Sequence, residues 1–168
     1  AVAHYLAENF EPPRLLIGHS LGGSAALQAA QHIPSVVGGV TIAAPADTSH
    51  LARLLANTKA AAAVDGEARV TIGGATFRLK RQFFDDLERA NMQRTVESLD
   101  RALLVLHSPA DQTVDIENAM QIFAAARQPK SFVSLDTANH LLSEQRDSWY
   151  AGEVIAAWAS RWLRPAEE

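Results

Sequence analysis

Apolar residues in this chain follow two rhythms, and the order of those rhythms predicts the fold. Short solid runs, LLIG at 15–18, VVGGVTIA at 36–43, ALLVLH at 102–107 and SFVSL at 131–135, have the texture of strands buried on both faces. They predict strands over Arg14–Gly18, Val36–Ala43 (closed by Pro45), Ala102–His107 and Ser131–Leu135. Elsewhere the spacing is helical. Val2, Leu6 and Phe10 predict a helix over Ala1–Phe10, ended by Pro12-Pro13. The alanine-rich stretch Ser20–His32, then Ile116–Arg127 and roughly Ser143–Leu163, predict three more. Strand–helix–strand–insert–strand–helix–strand–helix is the order of an α/β fold with a parallel sheet flanked by helices on both faces. Ligands of such sheets bind outside the carboxyl ends of the strands, so that edge is where chemistry should be sought.

The insert, about residues 46–100, follows the second strand and has a different texture. Asp47 is placed to cap a helix reaching Ala63. RVTIGGATFRL, residues 69–79, alternates around Gly73-Gly74 and predicts a β-hairpin. RQFFDDLERA and MQRTVESLD then read as helices, with Phe83, Phe84 and Leu87 on one side. This is where a lid over the site would be placed. Two readings of Phe77, Phe83, Phe84 and Met92 stay open: they line an acyl pocket, or they form the insert's own small core.

The 168 residues suffice for one domain with a real core. Nineteen acidic against fifteen basic residues leave a net charge of −4, which argues against a nucleic-acid surface or an anionic-membrane binder. With no cysteine, disulfides, thiolate-bound zinc and a thiol nucleophile are excluded. No apolar run approaches the ~18 residues of a membrane span, and AVAHYLAENFEPP lacks the basic and apolar regions of a signal peptide. A cytoplasmic protein is therefore expected.

The chemistry concentrates at Gly18-His19-Ser20-Leu21-Gly22. Gly-x-Ser-x-Gly alone is weak evidence, since a chain this long shows it by chance about once in twenty. Its context is stronger, because a strand leads in and a helix leads out, as a nucleophile elbow requires. Both glycines are expected to be needed for space beside a strained serine. The bland alternative makes Ser20 an ordinary helix N-cap. An elbow serine needs a base and an acid, in the chain order serine, acid, histidine. Asp111 falls just past the third predicted strand, and His140 falls in the loop after the fourth, so all three residues share one sheet edge. Asp115 reads instead as the N-cap of the Ile116 helix, and Asp136 as a turn residue, though both compete for the acid's role. Of the other histidines, His4 and His32 lie in helices, His50 lies in the insert and His107 ends a strand. His19 is expected to pack rather than react.

LLIGHSLGG, VTIAAPAD, ALLVLHSPADQTVDIENA, PKSFVSLDTANHLL and VIAAWASRWL together resemble the α/β-hydrolase superfamily. The closer likeness is to bacterial hydrolase domains that often precede an OsmC-like peroxidase domain. The resemblance implies Ser20 as nucleophile, Asp111 as acid and His140 as base, with the N–H of Leu21 as one oxyanion donor. It also implies that the chain is a single incomplete hydrolase domain, the C-terminal portion of the fold. The strands before the elbow strand, and the loop with a second oxyanion donor, would then lie outside it. The elbow strand would be left as an open apolar edge, to be covered by the missing N-terminal part or by another chain. The expected activity is serine-dependent hydrolysis of an ester, thioester or similar small acyl compound. No cofactor and no metal are expected, since Asp111 and His140 are too few for a closed metal site. The alternative is a hydrolase-derived binding or assembly module in which the three residues are a relic.

Overall fold

A computed structural model describes residues 1–48, 55, 58–59, 66–72 and 75–163. Two compact units result, one of residues 1–46 with 92–168 and one of residues 47–91. In the first unit, helix α1 (Val2–Asn9) precedes strand β1 (Leu15–His19), helix α2 (Leu21–Ala30) and strand β2 (Gly38–Ile42). In the second, strands β3 (Glu67–Ile72) and β4 (Ala75–Lys80) are followed by helix α3 (Arg81–Arg89). The first unit resumes with helix α4 (Met92–Glu97), strand β5 (Ala102–His107), helix α5 (Ile116–Ala125), strand β6 (Lys130–Ser134) and helix α6 (Gln145–Leu163).

The four strands of the first unit form a parallel sheet in the order β1-β2-β5-β6. Register decides the strand ends that the apolar pattern left loose. Pairing runs from Leu15↔Gly38 to His19↔Ile42, so β1 includes His19, and β2 is shorter than the apolar run suggests. β5 is buried at all six positions. Its alternation feeds both faces, as a central parallel strand must. Leu103 and Val105 pack with Leu27, Val96 and Ile122 from α2, α4 and α5. Leu104 and Leu106 pack with Val40, Ala151 and Trp158, so α6 covers the opposite face. β1 lies at the sheet edge, where Ile17 is 53% exposed. A groove of about 840 Å³ runs beside it, lined by Leu6, Ile17, Gly22, Ala25, Ala26 and Ile33 among others.

In the second unit β3 and β4 pair antiparallel from Glu67↔Lys80 to Ile72↔Ala75, longer than the 69–79 hairpin expected. Leu55, Ala68 and Phe84 are buried together, with Val70, Leu79 and Phe83 against them. The Thr48 hydroxyl donates to the Leu87 carbonyl at 3.2 Å, and Lys59 pairs with Glu88. The Gly73-Gly74 turn and most of the helix expected over 47–63 lie outside the described residues.

Met92 does not belong to this small core. It opens α4 and is buried with Leu27, Val96 and Leu99 in the main core, because Met92, Val96 and Leu99 form one apolar stripe. Of the four residues offered for an acyl pocket, Phe83 and Phe84 fill the insert's core and Phe77 is half-exposed. Among the described residues, no helix is long and apolar enough to cross a membrane.

Candidate active site

Between β1 and α2 the chain turns within a single residue. Ser20 has φ 53° and ψ −132°, a conformation that costs a non-glycine residue about 1–3 kcal/mol. Two backbone hydrogen bonds hold it there. The Ser20 N–H donates to Ile42 O at 2.8 Å, and the Gly23 N–H donates to Ser20 O at 2.9 Å. So sharp a turn presses the end of β1 against the first turn of α2. A Cβ on Gly18 would stand 2.1 Å from the carbonyl oxygen of Gly22, which is backbone and cannot yield.

The expectation for Gly22 is overturned. A Cβ there would meet nothing within 4 Å. The second crowded glycine is Gly23, whose added Cβ would lie 2.7 Å from the Cβ of Ala44, where α2 packs on the chain leaving β2. The demand for space is set by packing between segments, which the motif spacing does not encode.

Ser20 occupies the N-cap position of α2, yet its side chain makes no capping hydrogen bond. Its Oγ instead lies 3.1 Å from His140 Nε2. His140 Nδ1 lies 2.7 Å from Asp111 Oδ2. A carboxylate only accepts, so His140 carries its hydrogen on Nδ1 and leaves Nε2 free to accept from the serine hydroxyl. The structure thus brings Ser20, His140 and Asp111 into one hydrogen-bonded line from the carboxyl ends of β1, β6 and β5.

Asp111 is buried, and its other oxygen accepts from the N–H groups of Thr113 at 2.8 Å and Val114 at 3.0 Å. Burial alone pushes its carboxyl up. The Val114 N–H, the His140 ring and the Thr113 N–H together outweigh that, and hold the carboxyl below its ordinary range. Ser108 ties this loop to the one after β6, its hydroxyl donating to Asp136 O at 2.8 Å. Asp136 is a turn residue at φ 48°, and Asp115 takes the N-cap position of α5 without a side-chain cap bond. Leu21 is the first residue of α2. Its N–H is therefore one of the first-turn donors that have no acceptor within the helix.

Two histidines contribute contacts that sequence reasoning missed. His107 is fully buried; its Nε2–H donates to Val114 O at 2.7 Å and stands 3.7 Å from Asp111 Oδ2. The available signal was its place at the end of the strand that leads to Asp111. His19 was expected only to pack. Its side chain is exposed, its Nε2 lies 2.7 Å from the carbonyl oxygen of His140, and the two rings are 4.9 Å apart. Nothing in the spacing of 19 and 140 announces that contact. Chemically, the arrangement can activate a hydroxyl, with a carboxylate orienting an imidazole and the imidazole accepting the proton.

A family model described as the alpha/beta hydrolase family matches residues 1–166. Among solved structures, the chain is similar to the esterase domain of a Rhodothermus marinus protein. The two are 47% identical with a TM-score of 0.82, over 96% of this chain and 66% of that one. It shares its fold with mouse alpha/beta hydrolase domain-containing protein 10, at 21% identity and TM-score 0.69 over 95% and 67% of the two chains. The same holds for Est1E from Butyrivibrio proteoclasticus, at 14% identity and TM-score 0.67 over 97% and 67%. The chain thus spans about two-thirds of the length of these structures. No curated protein matches it. With a family match that runs almost end to end over a sheet of this topology, the chain belongs to the α/β-hydrolase family.

Proposed function

We propose that this chain carries the nucleophile, base and acid of a serine hydrolase that transfers an acyl group from an ester or thioester to water. The observation that carries this reading is the line Ser20 Oγ–His140 Nε2, His140 Nδ1–Asp111 Oδ2, at 3.1 and 2.7 Å. His140 Nε2 takes the Ser20 proton as Oγ attacks the acyl carbon. The carbonyl oxygen gains negative charge, and the Leu21 N–H donates to it. The imidazolium returns its proton to the leaving alcohol or thiol as the C–O or C–S bond breaks, leaving an acyl-enzyme. Water then repeats the sequence, with His140 as base, and releases the acid and free Ser20. Asp111 stays ionised and stabilises the imidazolium, as its depressed carboxyl favours. Similarity to an esterase domain supports the ester class.

Intact-mass spectrometry after exposure to a fluorophosphonate tests the reading. One phosphonyl adduct is expected on the chain and none on Ser20→Ala. Turnover of p-nitrophenyl esters is expected to be lost in the same variant. A folded chain that takes no adduct, or a Ser20→Ala variant that still takes one, would refute it.

A further inference from the structure

His19 precedes Ser20, so the same turn sends two neighbouring side chains toward the same residue. The Ser20 hydroxyl meets the ring of His140 at 3.1 Å, and the His19 ring meets its main-chain carbonyl at 2.7 Å. A carbonyl accepts and never donates, so His19 must carry its hydrogen on Nε2. The loop that bears His140 is otherwise held from the β5 side, where the Ser108 hydroxyl donates to Asp136 O at 2.8 Å, and from within. Asn139 Oδ1 accepts from the N–H groups of Leu141 and Ser143, each at 3.1 Å, and the Leu142 N–H returns to Asn139 O at 3.0 Å. Those bonds shape the loop but do not tie it to β1. Asp111 orients the ring from the β5 side. The described bonds from the elbow to the His140 loop are thus two, one to the ring and one to the backbone.

We propose that His19 is a positioning residue, one that clamps the main chain of His140 to the nucleophile elbow and so sets the distance between Ser20 Oγ and His140 Nε2. The proposal rests on the reading of Ser20 and His140 as nucleophile and base. Its physics is that of two anchors on one side chain. With only the ring held, a shift of the loop is absorbed by rotation about the His140 side-chain bonds, and Nε2 swings off the hydroxyl. With the carbonyl held by the residue next to Ser20, loop and elbow move together and the gap stays constant. An exposed histidine with no such role would direct its ring nitrogen to water. Here the ring faces the His140 ring at 4.9 Å and spends its N–H on the His140 backbone.

Two substitutions separate the hydrogen bond from the ring contact. His19→Phe keeps an aromatic ring beside His140 and removes the donor. His19→Gln removes the ring and returns an N–H at the position of Nε2. The readouts are the rate of Ser20 phosphonylation under excess fluorophosphonate, and the downfield proton resonance of His140 Nδ1–H in the unreacted chain. His19→Phe is expected to slow labelling by about 10- to 100-fold, the range that small misplacements of reacting groups produce, and to broaden the resonance. His19→Gln is expected to recover most of both. Wild-type labelling and a sharp resonance in His19→Phe would overturn the proposal. So would a His19→Gln variant as impaired as His19→Phe, since the donor would then be irrelevant. If the unsubstituted chain shows no Ser20-dependent labelling, the functional reading fails. The resonance still decides the role of His19, because it needs no reaction.

Discussion

β1 and β5 look alike as text, LLIGH and ALLVLH, yet they occupy opposite positions in the sheet. β5 is central and buried at every residue, and Asp111 follows it. β1 is at the edge, half covered, and Ser20 follows it. Asp111 therefore follows the most enclosed strand of the unit and Ser20 one of the least enclosed, with His140 bridging them from the loop after β6. Burial of the Asp111 carboxyl is offset by hydrogen bonds that favour its ionised form. Ser20 gets its geometry instead from a strained turn locked by glycine-tight packing. Two different physical means serve one site.

The largest effect is expected where the buried arm meets the chemistry. On the proposed mechanism Asp111→Asn leaves the loop in place but favours the wrong imidazole tautomer, and should slow Ser20-dependent turnover by about 10⁴-fold. The same variant has a stability signature. Because the folded carboxyl is held below its unfolded value of about 3.9, the folded chain binds fewer protons than the unfolded chain in between. The stabilisation from ionised Asp111 is then complete above about pH 5 and is lost as pH falls through the folded value. Urea denaturation of both proteins should give a stability difference that is flat above about pH 5 and shrinks below about pH 4. A difference that grows in acid would reverse the sign argued here.

Next come substitutions that compare the two strands directly. Leu104→Ala removes a side chain 1% exposed at the centre of β5 and should cost about 2–5 kcal/mol. Ile17→Thr, on the exposed face of β1, should fall within about 0.5 kcal/mol of the parent. Equal costs, measured by denaturant midpoints, would mean that edge and centre do not differ as described. The finest contrast lies within the elbow. Gly18→Ala drives a Cβ into the Gly22 carbonyl and should cost about 3 kcal/mol or more. Gly22→Ala adds a methyl to open space in a helix, and should raise stability by up to about 1 kcal/mol.

The parallel sheet was legible because solid apolar runs and helical spacing are local properties of the chain, and β5 shows why: a strand buried on both faces has no alternation to hide. The placement of Ser20, Asp111 and His140 at strand carboxyl ends was legible by the same logic. The rest depends on which distant segments touch. Gly23, not Gly22, is crowded because Ala44 arrives there, and Met92 joins the main core because α4 packs onto α2 and α5. His19 and His107 read as bystanders in one dimension, since their partners, His140 O and Val114 O, are backbone atoms that leave no mark on composition.

The edge position of β1 has a consequence for how long the site persists at any moment. Local opening is easiest where a strand is hydrogen-bonded on one side and half covered, and hardest where it is enclosed. Detachment of β1 would carry off Ser20 and leave the Asp111–His140 pair intact on the strands behind it. Amide hydrogen exchange would therefore be slowest in β5 and faster in the two edge strands, β1 and β6. The lifetime of the assembled site would equal the lifetime of its least protected strand, and anything that steadies that edge would lengthen it without touching a single reacting group.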